Sequence, residues 1–140
     1  MPKVRRFLLL FAAVAFVVFL GIQFIRPALP AGPITGESQA SPAVTQILRT
    51  SCYNCHSNET RLAWFDRIVP AYWLVVSDVK QAREKLNFSE FGQLPAAQER
   101  GVLFEALNQM QFGAMPPKKY VLLHAESRVT PETLPRWSNT

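Results

Sequence analysis

Apolar and polar positions divide the chain into one unbroken hydrophobic run and a series of periodic segments. From Phe7 to Ile25 there are 19 residues without a charge, and Gln23 is the only strongly polar one. At about 1.5 Å per residue such a helix is about 28 Å long, close to the hydrocarbon thickness of a bilayer. Further on, Val44, Ile47, Leu48 and Cys52 recur at helical spacing. Ser41, a good N-cap, and Pro42, suited to the first helical position, precede them. A second helix is predicted from about Pro70 to Leu86. Tyr72, Val75, Val76, Val79, Ala82 and Leu86 form its apolar stripe, with Asp78, Gln81 and Lys85 off it. A third is predicted from about Pro95 to Met110, with Val102, Leu103, Ala106, Leu107 and Met110 on one face. Gly101 weakens it by about 1 kcal/mol relative to alanine unless close packing needs a glycine there. Thr130-Pro131 opens a short last helix that Pro135 interrupts. Tyr120 to Leu123 is too short to assign, and no strand pair is evident. The pattern predicts an all-α protein.

Charge orients the first run. Lys3, Arg5 and Arg6 precede it and only Arg26 follows closely. Basic residues stay on the cytoplasmic side, so the N-terminus is expected inside and everything after Arg26 outside. A cleaved signal peptide fits less well than an uncleaved anchor. The run exceeds the usual 7–15 residues, roughly, of a signal core, and Ala28-Leu29-Pro30-Ala31 is a poor cleavage site. Residues 1–26 therefore form a cytoplasmic start and anchor. Residues 27–41, with Pro27, Pro30, Pro33, Gly32 and Gly36, read as a linker that reaches roughly 45 Å when extended. Residues 42–140 make one domain. The net charge of +5 owes four of its 15 basic residues to the anchor; from Pro27 onward 11 basic face 10 acidic residues. The high pI reflects membrane orientation and gives no support to nucleic-acid binding.

The chemistry is concentrated in Cys52-Tyr53-Asn54-Cys55-His56, a C-x-x-C-H sequence holding both cysteines of the chain. Two thiols three apart on a helical turn can add to the two vinyl groups of a haem, and the following histidine can bind the iron from one side. One haem c, covalently held, is the cofactor implied. A Cys52–Cys55 disulfide or thioredoxin-like pair leaves His56 unexplained, with no βαβ pattern around it. A zinc site would draw on Cys52, Cys55, His56 and the distant His124, a spacing that fits no common zinc pattern. Covalent haem is assembled outside the bacterial cytoplasmic membrane, which agrees with the topology.

For the other face of the iron, Met115 is the first candidate. It lies in Gly113-Ala114-Met115-Pro116-Pro117, where a glycine frees the backbone and two prolines stiffen it. Its thioether would raise the potential relative to a second histidine. His124 is the alternative sixth ligand. Met110, on the apolar stripe of the third helix, is better explained by core packing. Trp64, Trp73 and Tyr120 are candidates for the core or the haem pocket. Arg83 and Tyr120 are candidates for haem propionates, and Lys118 and Lys119 for a docking patch or a solvated pair.

The chain resembles a bacterial family of small membrane-anchored haem-binding-domain proteins of c-type cytochrome character. The likeness runs from about Ala43 to Val129. It rests on Cys52-Tyr53-Asn54-Cys55-His56-Ser57-Asn58, Thr60, Trp64, Pro70, Trp73, Val79, Arg83, Leu86-Asn87-Phe88-Ser89, and Met115-Pro116 with Tyr120 and His124. Ala63 and Ala125 stand where the family often has proline. The resemblance implies a monohaem, cytochrome-c-like helical domain with Cys52 and Cys55 as attachment points and His56 and Met115 as iron ligands. The expected function is single-electron transfer at the outer face of a bacterial inner membrane. Redox proteins of that membrane would be partners, and the bilayer would hold Phe7 to Ile25. No enzymatic site is expected in the chain itself. A haem sensor or peroxidase-like enzyme with an open sixth position, or a purely structural haem subunit, are the competing readings.

Overall fold

The computed structural model describes residues 2–36 and 40–132. Six α-helices are present among them: α1 (Pro2–Ile22), α2 (Pro42–Ser51), α3 (Tyr53–His56), α4 (Ala71–Lys85), α5 (Ala96–Gln111) and α6 (Lys118–Val121). Single 3-10 turns lie at Phe65–Arg67, Phe91–Gln93 and Ala125–Ser127. Among the described residues there is no strand, only an isolated parallel bridge between Gly36 and Glu90. The all-α expectation is met, and α2, α4 and α5 fall within a residue of their predicted bounds. The segment 118–121, too short to assign from sequence, is a single helical turn. Of the predicted last helix, Pro131 and Glu132 lie in a turn and residues 133–140 lie outside the described residues.

The chain forms two compact units. One comprises residues 2–29 with 62–77; the other comprises residues 30–61 with those from 78 onward. In the first, α1 is long and apolar enough to cross a membrane, and none of its apolar window is buried. Bonds of the i to i−3 type prolong it, from Gln23 to Leu20 (3.2 Å), Phe24 to Gly21 (3.2 Å) and Ile25 to Ile22 (3.0 Å). Residues 62–77 bind the chain just beyond. Gln23 exchanges two hydrogen bonds with the Val69 peptide, both 3.0 Å, and Trp73 Nε1 donates to the Ile25 carbonyl at 2.6 Å. Trp73 is thus half-buried here. Trp64, a candidate core aromatic, is 73% exposed and packs only edge-on against Phe65. Ala63 donates its N–H to the buried Asp66 carboxylate at 3.0 Å. A proline would lack that donor.

The second unit is built on Val44, Leu48, Tyr53, Phe88, Phe91 and Met110. The predicted stripes meet there: Val44 and Leu48 from α2, and Val102, Leu103, Ala106, Leu107 and Met110 from α5. Met110 is 6% exposed, which establishes it as a core residue. Phe88 lies at the centre, stacked on Tyr53 at 5.3 Å and edge-on to Phe91 at 5.0 Å.

The described part of the 27–41 linker is held by side chains within each unit. Proline carbonyls, left without intrachain partners by a helix or strand, are bound by side-chain donors. Tyr72 Oη donates to Pro27 in the first unit. In the second, Arg83 Nη1 donates to Pro30 and Asn58 Nδ2 to Pro33. Thr35 donates its N–H to Ser89 at 2.8 Å, and Gly36 lies so close to Gly92 that a Cβ on either would meet backbone within 2.7 Å.

Gly101 answers to no such constraint, since a Cβ added there meets nothing within 4 Å. Gly101→Ala is expected to stabilise the protein by about 1 kcal/mol. Thermal unfolding followed by circular dichroism should show the midpoint rising by several degrees; a lower midpoint would contradict this assignment.

Candidate functional site

Helix α2 ends where the C-x-x-C-H motif begins. Cys52 is its C-cap, with φ −122° and its N–H on the Leu48 carbonyl at 2.8 Å. The break is immediate. Cys55 and His56 donate their N–H groups to the Cys52 carbonyl at 3.1 and 2.9 Å, which winds α3 as one new turn. That turn sets the two faces. Tyr53 points into the core at 4% exposure, while Cys52, Cys55 and His56 are partly buried and neither cysteine is in a disulfide.

The motif is held by the run Leu86-Asn87-Phe88-Ser89 that follows α4. His56 Nδ1 lies 3.1 Å from the Leu86 carbonyl, which as an acceptor puts the proton on Nδ1. The Phe88 N–H donates to the His56 carbonyl at 2.7 Å, and the Phe88 ring meets the imidazole edge-on at 6.4 Å. One residue further, Ser89 Oγ accepts the Asn58 N–H at 2.9 Å, and Asn87 Nδ2 donates to Asn58 Oδ1 at 3.1 Å. Fully buried Ser57 closes the turn by donating to the Tyr53 carbonyl at 2.8 Å. Sequence reasoning singled out this run for its resemblance but assigned it no role. Its position directly after a helix, with an aromatic between two short polar residues, was the available signal.

Asn54 ties the motif to the C-terminal segment. Its Nδ2 donates to Tyr120 Oη at 3.1 Å, and its Oδ1 accepts the Arg61 N–H at 3.0 Å. Tyr120 in turn stacks on His124 at 4.0 Å with the planes 10° apart. Ser127 Oγ donates to the Thr50 carbonyl of α2 at 3.2 Å. Met115 enters this segment five residues before Tyr120. The end of α5 places it: Gly113 at φ +67° donates to Met110 at 3.0 Å, and Ala114 to Gln109 at 2.9 Å, the paired bonds of a Schellman cap. Met115 is 38% exposed, whereas His124 is 5% exposed with Nδ1 on the Tyr120 carbonyl at 3.2 Å. Lys119 is paired with Asp78 at 3.2 Å.

Burial dominates the electrostatics. It pushes the Cys52 thiol up to about 12, aided by the neighbouring Cys55. A thiol so protonated reacts slowly as a nucleophile at neutral pH. Among the described residues no three His, Cys, Asp or Glu side chains gather to hold a metal ion. Burial also lowers the His56 value, outweighing its bonds to the Leu86 and Ala82 carbonyls, with Lys85 adding to the decrease. A neutral imidazole protonated on Nδ1 leaves the Nε2 lone pair for iron. Burial lowers Arg83 as well, opposed by Cys55. Its Nη2 donates to Thr60 Oγ1 at 2.9 Å, while its buried Nε has no acceptor among the described residues.

A cavity of about 380 Å³ lies on the Tyr53–Asn54 side, walled by Arg49, Thr50, Glu59 and Glu126. Its lining is polar, and the cysteines and His56 take no part in it.

The model of a family described as a haem-binding domain matches residues 17–137. The chain belongs to that family. No curated protein and no solved structure matches it. The residues present fit a haem. Two cysteines outside any disulfide and an imidazole nitrogen share one turn, and the buried Arg83 Nε–H, without an acceptor among the described residues, is a donor suited to a carboxylate such as a propionate.

Two outcomes follow from this geometry. Phe88→Ala removes the ring that packs on both Tyr53 and His56, and is expected to cost about 3–5 kcal/mol in urea unfolding; a loss below about 1 kcal/mol would show that Phe88 does not organise the motif. In the haem-free chain, alkylation of Cys52 by iodoacetamide should keep accelerating as pH rises past 10 toward its value of about 12. Tandem mass spectrometry separates it from Cys55, and a plateau near pH 9, where an ordinary thiol levels off, would contradict the burial argument.

Proposed function

We propose that this member of the haem-binding domain family is a membrane-tethered monohaem c-type cytochrome passing single electrons at the outer face of a bacterial cytoplasmic membrane. Cys52 and Cys55 hold the haem by thioether links, His56 Nε2 is the proximal ligand and Met115 is the sixth. The observation that carries this reading is the His56 ring, fixed through Nδ1 on Leu86 and on the same helical turn as two cysteines that form no disulfide. The haem supplies a one-electron couple between ferrous and ferric iron.

The chain's part is to orient and tune. A carbonyl acceptor on Nδ1–H fixes the tautomer of a ligating histidine and raises its basicity. The edge contact with Phe88 restrains rotation of the ring. Met115 comes from a stiff turn with its side chain accessible, whereas His124 is buried and stacked on Tyr120. That contrast favours sulfur over a second imidazole. With His56 and Met115 both holding the iron, oxygen and peroxide would find no free position on it, and the chain would carry electrons without a substrate of its own. Helix α1 serves as an uncleaved anchor with Lys3, Arg5 and Arg6 on the cytoplasmic side. The electron donor and acceptor are proteins of the same membrane.

The competing reading, a sensor or peroxidase-like enzyme with an open sixth position, gives a different optical signature. The matured protein is expected to show a low-spin haem with a far-red sulfur-to-iron band in the ferric state. Met115→Ala should abolish that band, His124→Ala should keep it, and the reduced parent should resist carbon monoxide. A high-spin spectrum with ready carbon monoxide binding would overturn the carrier reading.

A further inference from the structure

Gln23 is the one strongly polar residue of the apolar run, and its partner is a peptide far along the chain. Its Nε2 donates to the Val69 carbonyl and its Oε1 accepts the Val69 N–H, each at 3.0 Å. The same amide also donates to Phe19 of its own helix at 3.2 Å. A side-chain amide that satisfies both groups of a non-helical peptide answers the requirement a hydrocarbon environment imposes, because backbone groups there have no water to bond. Val69 itself is fully buried. The residues around it are fastened one by one to the chain leaving α1: Arg67 accepts from Arg26 at 2.7 Å, Trp73 donates to Ile25 at 2.6 Å and Tyr72 donates to Pro27 at 2.9 Å. Every one of these contacts lies within the first compact unit.

The depth of this segment follows. The apolar run ends at Ile25, and residues 62–77 are bound to positions 23 to 27. The large side chains they expose are, apart from Arg67, apolar: Trp64 at 73%, Leu74 at 65% and Ile68 at 39%, beside Phe24 at 89% and Ile25 at 60%. Water is a poor neighbour for so much large apolar surface in so short a segment. Tryptophan with exposed arginine, here Arg26 and Arg67, is the composition that settles at the boundary between headgroups and acyl chains.

We propose that residues 62–77 form an interfacial foot, seated in the outer headgroup layer of the phospholipid bilayer with Trp64, Ile68 and Leu74 in contact with lipid. The foot gives the protein a second membrane contact beyond α1, formed by residues distant in sequence. It accounts for Gln23 in the span and for exposed Trp64 together. The proposal rests on α1 spanning the membrane, and the test separates the two.

The full-length haem protein, labelled with 5-fluorotryptophan, is reconstituted into nanodiscs of phosphatidylcholine and phosphatidylglycerol. The fluorine resonances are assigned by Trp→Phe substitution. Intensities are compared with and without a lipid spin-labelled near the headgroup, and with and without a water-soluble gadolinium chelate. Alkaline carbonate extraction of vesicles tests α1 in parallel. The expected result is a chain retained by carbonate-washed vesicles whose Trp64 resonance loses most of its intensity to the spin-labelled lipid and little to the chelate. A retained chain whose Trp64 responds to the chelate and ignores the lipid overturns the foot and leaves the span standing. Protection from both reagents overturns it too, in favour of cover by protein. Release by carbonate overturns the span, and the foot with it.

Discussion

The hydrogen bond between His56 and the Leu86 carbonyl is the constraint on which the rest of the haem-domain architecture turns. It joins the last residue of a one-turn helix to the chain emerging from α4, and it decides which imidazole nitrogen keeps its lone pair. Around it the same short run supplies a second backbone bond through Phe88 and a side-chain clasp through Ser89. Phe88 also lies in the core, stacked on Tyr53 of the motif, so motif and core are packed together. A side chain pre-oriented in this way has less rotational freedom left to lose.

A different constraint governs the first unit. There the polar groups of an irregular segment are matched to the end of an apolar helix, with Gln23 acting toward Val69 as a neighbouring peptide would. Proline-rich stretches lack donors but keep carbonyls, and in this chain Tyr72, Arg83 and Asn58 supply what the prolines lack. The residues between helix and domain are consequently part of the folded structure over 27–36.

The long elements were legible in the sequence because periodicity is a property of many residues at once. The stripes on α2, α4 and α5 and the unbroken run of α1 each averaged over several turns, and C-x-x-C-H carried its own spacing. What escaped was carried by the backbone or by single long-range pairs. Any residue at position 86 offers a carbonyl, so no side chain betrays the partner of His56. The Asn54–Tyr120 bond spans 66 positions and the Gln23–Val69 pair 46, distances at which one sequence gives no pairing signal. Trp64 was read as a core or pocket aromatic because size alone predicts burial; its exposure follows from the segment's attachment to the helix end. The linker's composition reports stiffness and says nothing of the partners its carbonyls find. Lys119 is half of an ion pair with Asp78, which its neighbour Lys118 could not reveal.

The central claim is that this chain carries one haem, bonded through Cys52 and Cys55 on the turn that presents His56. The direct test is mass spectrometry of the full-length protein after expression with haem c maturation, intact and after tryptic cleavage. The account predicts an intact mass raised by a single haem, localised to the peptide Thr50–Arg61 and resistant to acid–acetone extraction. An unmodified peptide, a Cys52–Cys55 disulfide, or haem lost to the acid solvent would contradict it.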